Sequence, residues 1–334
     1  MSGQAAVPVQ TGSSRRQLLK AALGASVAMG TTLASAQSAD APAGPRVWLG
    51  YDQKQLDDAY NQAVWAPNMA TLIARGVINS EIARRYLPPK KVWQYGTGPD
   101  RNIEGYLASG KGKLPIHVFI HGGAWRAGAA ADYAYLAESF LAKGVHFLSL
   151  NFPNAPQVNG DLAIMGKDVQ DAIAWIARHA AEFGGDADEI FISGHSSGAH
   201  LAAVALTTRW EQQYGLRANL IKGAVLISGL YELKPVRLSS RSSYLRITDD
   251  IEQALSPQRH VAQVNAHVDV VHGSLESPEF KRQSREFAAA LRQVSKSVDL
   301  LITENYNHFE TVEGLGSPFG AAGRLALRQI AKRA

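Results

Sequence analysis

A glycine-flanked serine stands where an apolar strand pattern ends and a helical pattern begins, in Gly194-His195-Ser196-Ser197-Gly198. The stretch 189–193 is short, β-branched and aromatic, which predicts a buried strand, and the apolar stretch 199–206 predicts the start of a helix. A G-x-S-x-G sequence in this context is typical of a nucleophile elbow, because the glycines let the backbone turn sharply. Ser197 is the alternative nucleophile, but Ser196 has the central position. The pattern therefore predicts that Ser196 is activated.

Strand and helix patterns alternate along most of the chain, after a hairpin predicted over 92–107. The predicted strands are 115–120, 145–150, 189–193, 223–228, 268–271 and 298–303, and the predicted helices are 133–143, 166–183, 199–206 and 280–294. This alternation predicts an α/β fold with a mainly parallel central sheet and helices on both faces. A helical arm is predicted over 45–90, and the polar, irregular stretch 231–262 is predicted to be a small cap-like insertion.

The N-terminus reads as an export signal. Arg15 and Arg16 form a twin-arginine motif, a weakly apolar stretch follows, and Ala34-Ser35-Ala36 is an A-x-A cleavage site. Residues 1–36 are therefore predicted to be a twin-arginine signal peptide, and 37–334 the mature domain in the periplasm or outside the cell. A flexible basic tail or a membrane anchor is the alternative, although the stretch is short and weakly apolar for a spanning helix.

The composition excludes several classes of function. Removal of Arg15, Arg16 and Lys20 with the signal lowers the formal charge from +5 to +2, and no like-charge block interleaved with aromatic residues predicts nucleic-acid binding. The absence of cysteine excludes disulfides, thiol catalysis and cysteine-ligated metal. Neither an H-E-x-x-H sequence nor a dinucleotide fingerprint is present, so neither a metal nor a cofactor is predicted.

A loop with donor groups for an oxyanion follows the strand predicted at 115–120, in His121-Gly122-Gly123-Ala124-Trp125. A tetrahedral acyl intermediate needs backbone N–H groups close to its developing charge, and small residues allow that approach. The backbone N–H groups of Gly123, Ala124 and Ser197 are predicted to form the oxyanion hole. An ordinary glycine-rich loop is the alternative. His121 is expected to organise this loop rather than to act as the base.

The base and the acid follow from chain order, which in this arrangement is serine, acid, histidine. His308 lies just beyond the last predicted strand and follows every candidate acid, so it is predicted to be the base. The alternative is that His308 is an ordinary surface histidine. Glu276 follows the strand predicted at 268–271, where a loop would direct its carboxylate towards the base. Glu279 and Asp269 are the alternative acids. His195 and His200, beside the elbow, are expected to be packing or hydrogen-bonding groups.

These motifs resemble the α/β-hydrolase superfamily over nearly the whole mature chain, and within it the kynurenine formamidase (arylformamidase)-like hydrolases and their HGGxW carboxylesterase relatives. The resemblance lies in 121–125, 194–201, His308-Phe309 and the arm at 51–61. It implies a Ser-acid-His mechanism without a cofactor, acting on an ester or an N-formyl amide. The acid of that family is usually aspartate, whereas glutamate stands at the matching place here.

The sequence thus predicts an exported carboxylesterase for small or aromatic esters, with a small-molecule substrate and no stable membrane anchor after signal cleavage. An arylformamidase or related amidase is the first alternative, and a non-catalytic binding protein of the same fold is the second. Trp125, Trp65 and Tyr231 are predicted to form walls of the substrate pocket, with a role in the core as the alternative. The oligomeric state is left open, a homodimer among the alternatives.

Overall fold

A computed structural model describes residues 44–332 of the chain. The signal segment predicted at 1–36 and its cleavage site lie outside the described residues, so both stay predictions. In the described part the strands are β1 (Lys91–Gln94), β2 (Asn102–Tyr106), β3 (Leu114–Ile120), β4 (His146–Leu150), β5 (Gly185–His195), β6 (Ile221–Ile227), β7 (His267–Gly273) and β8 (Val298–Thr303).

The helices of the described part cover the sheet and form the N-terminal arm. They are α1 (Gln53–Tyr60), α2 (Gln62–Trp65), α3 (Met69–Ala83), α4 (Ala137–Leu141), α5 (Leu162–His179), α6 (Ser197–Leu206), α7 (Trp210–Tyr214), α8 (Lys234–Leu238), α9 (Asp249–Leu255), α10 (Pro278–Gln293), α11 (Glu310–Glu313) and α12 (Ala321–Ala331). Short 3₁₀ segments connect several of them, and one of these segments is Ser240–Ser243. None of the helices in residues 44–332 has the length and apolar character needed to cross a bilayer.

The strands form a mainly parallel sheet in the order β1-β2-β4-β3-β5-β6-β7-β8. β1 and β2 form an antiparallel hairpin, and β2 is antiparallel to β4. Every pairing from β4 to β8 is parallel. The predicted hairpin and the mainly parallel sheet are therefore confirmed.

Alternate residues of the central strands pack into two separate cores, one on each face of the sheet. In β3, Ile116, Val118 and Ile120 join the core that includes α5, α6 and α10, whereas Phe119 joins the core that includes α4 and α12. This alternation is the period of two that a strand imposes on its side chains. Because both faces are covered by helices, the central strands are largely apolar and buried along their length.

Three segments differ in detail from the sequence-based expectation. The helix predicted at 133–143 is a 3₁₀ segment, Ala130–Leu136, followed by α4, because the backbone at Tyr133 leaves helical geometry with φ −119° and ψ 16°. The stretch 231–262, predicted to be irregular, contains α8, α9 and short 3₁₀ turns. Helix α12 was not predicted, although its buried residues at 322, 325, 326 and 330 follow helical spacing.

The parallel strands bring the candidate residues to one edge of the sheet. The loop of His121 follows β3, Ser196 follows β5, Glu276 follows β7, and His308 follows β8. Since parallel strands point the same way, their carboxyl ends meet at one edge, where ligands of open α/β sheets bind. The fold therefore explains how residues from 121 to 308 converge.

A substitution of Gly198 tests how closely α6 packs against the end of β3 at this edge. A Cβ at this position would lie 2.2 Å from the carbonyl oxygen of Ile120 and 2.3 Å from that of His121. We expect Gly198→Ala to lower the free energy of unfolding by about 1–3 kcal/mol or more, measured by urea denaturation. The control is Gly50→Ala, where a Cβ would meet nothing within 4 Å. Equal stability of Gly198→Ala and wild type would contradict this packing.

Candidate active site

Ser196 lies in a strained turn between β5 and α6. Its backbone adopts φ 55° and ψ −122°, which is rare for a residue with a side chain. Its N–H donates to the carbonyl of Ile227 at 2.9 Å. Gly194 is required by packing, because a Cβ there would lie 2.4 Å from the carbonyl oxygen of Gly198. The geometry is that of the nucleophile elbow predicted from the pentad.

The imidazole of His308 is hydrogen-bonded to the carboxylate of Glu276. Nδ1 of His308 lies 2.9 Å from Oε2 of Glu276, and both side chains are buried. The other oxygen of Glu276, Oε1, accepts from Ser228 Oγ at 2.7 Å and from the Gly273 N–H at 2.6 Å. Burial alone would raise the pKa of Glu276, but the hydrogen bonds from His308, Gly273 and Ser228 outweigh it and hold the pKa below its usual value. Glu276 is thus an ionised partner that fixes the orientation of His308.

The two alternative acids are engaged elsewhere. The Glu279 carboxylate accepts two hydrogen bonds from Arg282, through Nη2 at 2.6 Å and Nε at 2.9 Å. Asp269 lies in the middle of β7 and accepts from Gln329 Nε2 at 2.6 Å and from Arg328 Nη2 at 3.3 Å. The structure therefore brings Glu276, rather than either alternative, to His308.

His195 supports the backbone of the His308 loop. Its Nε2–H donates to the carbonyl of His308 at 2.8 Å, and the two rings have centroids 4.7 Å apart. Burial, followed by the nearby His308, lowers the pKa of His195 to about 3. A neutral His195 is consistent with its buried position and leaves Nε2–H as a fixed donor. Its role is positional, as expected from the sequence.

The loop after β3 lies against Ser196. A Cβ on Gly122 would lie 3.1 Å from Cβ of Ser196, which shows how close the two backbones are. Gly123, Ala124 and Trp125 all have positive φ, at 124°, 54° and 60°. Three consecutive positive φ values make a backbone path that is costly for residues with a side chain.

Two hydrogen bonds hold this loop in place. His121 donates from Nδ1–H to the carbonyl of Gly122 at 2.8 Å, and its ring stacks on Phe152 with centroids 4.6 Å apart. The Trp125 N–H donates to Ser197 Oγ at 3.1 Å, which joins the loop to the first residue of α6. His121 thus organises the loop, and Ser197 is a hydrogen-bond acceptor within it.

The three predicted oxyanion donors are available for a ligand. Among the described residues, the backbone N–H groups of Gly123, Ala124 and Ser197 have no hydrogen-bond acceptor. Gly123 and Ala124 line the same cavity as Ser196, and Ser197 begins α6, whose first N–H groups point out of the helix. The arrangement can therefore stabilise a negative charge that develops beside Ser196.

Ser196 and His308 open into one cavity of about 710 Å³. One wall is the edge of the sheet, with the loop after β3. The other walls come from the N-terminal arm, from the segment 240–244 and from the residues that follow β8. Contributors to these walls include Tyr60, Met69, Leu72, Ile73, Tyr133, Tyr135, Arg241, Tyr244 and Phe309.

The three aromatic residues predicted to form pocket walls are not among the residues that line this cavity. Trp125 is buried, and its Nε1–H donates to His200 Nδ1 at 3.2 Å. Tyr231 stacks on Phe287 in the core, with centroids 4.1 Å apart. Trp65 donates from Nε1–H to the carbonyl of Asp58 at 2.9 Å. Trp125 and Tyr231 are packed in the core, whereas the acceptor of the Trp65 ring, Asp58, is itself a residue of the cavity wall.

One group of metal-ligating residue types occurs in the described part, remote from Ser196 at the other end of β7. His267, Asp269 and Asp299 offer ligand atoms within 4.8 Å of one another. The carboxylate of Asp269 already accepts hydrogen bonds from Arg328 and Gln329. The residues around Ser196 show no comparable cluster within 44–332.

Comparison with known proteins identifies the family. The model of the BD-FAE family matches residues 106–291, more than half of the 334 residues. The chain belongs to the BD-FAE family. Ser196 and Glu276 lie within the match, and His308 lies beyond it.

Two curated relatives indicate a hydrolase. Kynurenine formamidase of Danio rerio is 27% identical over 297 residues, which cover 85% of this chain and 99% of that protein. Esterase LipQ of Mycobacterium tuberculosis is 30% identical over 231 residues, which cover 63% of this chain and 54% of that protein. The chain is a hydrolase with formamidase and esterase relatives.

Solved structures confirm the fold. A structure described as a putative thioesterase from Silicibacter sp. has a TM-score of 0.72 and 25% identity, and the match covers 81% of this chain and 98% of that one. A hyperthermophilic esterase from Pyrobaculum calidifontis has a TM-score of 0.61 and 19% identity, and the match covers 79% of this chain and 90% of that one. The fold is the α/β-hydrolase fold, as the resemblance implies.

Substitution of His200 tests whether the buried histidines around Ser196 are neutral in the folded protein. Because the indole N–H of Trp125 can only donate, Nδ1 of His200 is an acceptor, and Nε2 carries the proton that reaches the Leu255 carbonyl at 2.8 Å. Burial lowers the pKa of His200 to about 4. The unfolded chain therefore takes up a proton first as the pH falls below about 6.5. The stability due to neutral His200 is present above that pH and is lost as the pH falls towards 4.

We expect His200→Gln to reduce this loss, because the glutamine amide can keep both hydrogen bonds but does not titrate. Between pH 6 and pH 4.5, the free energy of unfolding of wild type should fall more steeply, by up to about 1.4 kcal/mol per pH unit. Urea denaturation across this range measures the two slopes. Identical slopes would mean that His200 takes up its proton in the folded protein as readily as in the unfolded chain, which would contradict the lowered pKa.

Proposed function

We propose that the chain is a serine hydrolase in which Ser196, His308 and Glu276 form a catalytic triad that cleaves carboxylic esters. The observation that carries the proposal is the buried hydrogen bond between His308 and Glu276 at the cavity that also contains Ser196. That bond uses Nδ1 of His308 and leaves Nε2 for the serine hydroxyl. A nucleophile, a base and an orienting carboxylate are the three parts that acyl transfer requires.

The proposed reaction proceeds in two acyl-transfer steps. Ser196 Oγ attacks the substrate carbonyl while Nε2 of His308 takes the hydroxyl proton, and the N–H groups of Gly123, Ala124 and Ser197 stabilise the oxyanion. His308 then gives the proton to the leaving alcohol as the acyl-enzyme forms. A water molecule, deprotonated by His308, then attacks the acyl-enzyme, and as the acid leaves, His308 returns the proton to Ser196 Oγ. Glu276 stabilises the imidazolium in both steps.

Hydrolysis of N-formyl aryl amides is the second candidate. The observation that favours it is the extent of the likeness to kynurenine formamidase of Danio rerio, which covers 99% of that protein, against 54% of esterase LipQ. The same triad and oxyanion donors would serve, with an amine as the leaving group. A hydrolase-fold protein that binds without turnover is the remaining alternative.

The triad is tested by intact mass after treatment with a fluorophosphonate. We expect one adduct on wild type and none on Ser196→Ala, with labelling slowed by about 100-fold or more in His308→Ala and also slowed in Glu276→Gln. The matched control is Ser197→Ala, which keeps Ser196 and should keep the adduct. An adduct that persists on Ser196→Ala, or no adduct on folded wild type, would contradict the proposed triad.

The two substrate classes are separated by kcat/KM on phenyl acetate and on formanilide, with N-formylkynurenine as a third substrate. We expect phenyl acetate to be hydrolysed at least tenfold more efficiently, because the phenolate is a better leaving group than the amine of formanilide. The reverse order would support the formamidase candidate. Failure on all three substrates by a protein that labels at Ser196 would contradict both candidates.

A further inference from the structure

Arg241 is a buried cation that lines the cavity of Ser196. Its side chain belongs to the segment 240–244, and the residue is 5% exposed. Nη2 donates to the backbone carbonyl of Tyr60 at 3.0 Å. Nη1 is buried and has no hydrogen-bond partner among the described residues. Part of the donor capacity of this guanidinium is therefore unused.

No carboxylate of the described residues forms an ion pair with Arg241. The titratable groups that interact electrostatically with it are Tyr60, Tyr244 and Arg126. The guanidinium carbon lies 5.3 Å from the ring centroid of Tyr60 and 5.5 Å from that of Trp125. These ring contacts partly compensate for lost hydration, but a buried charge is normally paired with an opposite one. Burial also lowers the pKa of Arg241, with the like charge of Arg126 acting in the same direction.

The acidic residues on the cavity wall do not supply the missing partner. Asp57 accepts from the Ser240 N–H at 2.5 Å, Asp58 pairs with Lys54 at 2.5 Å, and Glu313 pairs with Arg75 through two hydrogen bonds. The fourth, Asp132, lies near His121 and Tyr133.

A second cation stands on the same part of the wall. Arg126 is exposed and also lines the cavity, and its guanidinium carbon lies 4.9 Å from the ring centroid of Tyr244. Trp125 connects this region to the catalytic groups, because its ring faces Arg241 while its N–H bonds to Ser197. An anion held by Arg241 would thus lie in the same cavity as a substrate carbonyl at Ser196.

We propose that Arg241 binds a carboxylate carried by the substrate, so that the chain prefers esters or amides with a free acid group. This proposal rests on the proposed hydrolase function. The planar guanidinium can donate Nη1–H, and a further N–H, to a carboxylate in the forked geometry that suits this pair. Arg126 adds positive charge at the more exposed end of the same wall.

The test compares charged and neutral esters that have nearly the same shape. One pair carries the acid on the acyl side, 4-nitrophenyl hydrogen succinate against 4-nitrophenyl butyrate. The other carries it on the leaving group, 3-acetoxybenzoate against methyl 3-acetoxybenzoate. We expect wild type to favour the charged member of at least one pair by about 10- to 100-fold in kcat/KM, the range of a hydrogen bond to a charged group.

Variants assign this preference to Arg241. We expect Arg241→Gln to bring the charged-to-neutral ratio of kcat/KM towards one, whatever happens to the rate on the neutral ester. Arg126→Gln, which changes an exposed side chain, should reduce the ratio by a smaller factor. The control is Arg209→Gln, which removes an exposed cation from a residue that does not line the cavity. A folded Arg241→Gln protein that keeps the wild-type ratio would overturn the proposal.

The outcomes separate this proposal from the proposed function. Absence of a fluorophosphonate adduct on wild type would contradict the hydrolase mechanism itself. A wild type that is labelled at Ser196 but shows a ratio below about three in both ester pairs would overturn the carboxylate proposal alone. If Arg241→Gln does not fold, the carboxylate proposal is decided by the charged-to-neutral ratios of wild type and of Arg126→Gln.

Discussion

The strained turn at Ser196 is the constraint on which the rest of the site depends. The turn holds Ser196 at φ 55° and brings Gly198 so close to the end of β3 that a Cβ would lie 2.2 Å from the carbonyl oxygen of Ile120. The start of α6 and the start of the loop after β3 are therefore fixed against each other by backbone packing. Because the proposed oxyanion donors belong to these two backbones, their position relative to Ser196 needs no flexible side chain, and this is the preorganisation that electrostatic catalysis requires.

The buried histidines around this turn differ in the groups that their ring nitrogens contact. His121, His195 and His200 each donate to a backbone carbonyl, and burial lowers the pKa of all three. They act as fixed neutral donors. His308 instead contacts the ionised carboxylate of Glu276, which orients its imidazole. A cluster of similar side chains thus divides into supports and a single candidate base.

The sequence was sufficient for the sheet and for the residues at its edge, but not for the rest of the cavity. The positions of Ser196, His308 and Glu276 followed from strand ends, glycine spacing and chain order, and these features are local. Trp125 and Tyr231 were predicted to be pocket walls, but both belong to the hydrophobic core, because an aromatic side chain in a motif can turn towards the core as well as towards a ligand. Arg241 carried no signal, since it lies in a polar segment without periodicity and its burial depends on contacts with the distant arm.

The arm links the binding wall to the catalytic edge. The Asn307 side chain, one residue before His308, donates to Asn68 Oδ1 at 2.8 Å, and Arg75 in α3 pairs with Glu313, the last residue of α11. In the same arm, the backbone carbonyl of Tyr60 accepts a hydrogen bond from Arg241. The same arm therefore contacts both the His308 loop and the cation that we propose selects the substrate. Changes in the arm would alter which molecules enter the cavity, while the packing at Ser196 would preserve the chemistry. Such a separation allows proteins with the same α/β-hydrolase sheet to act on different substrates.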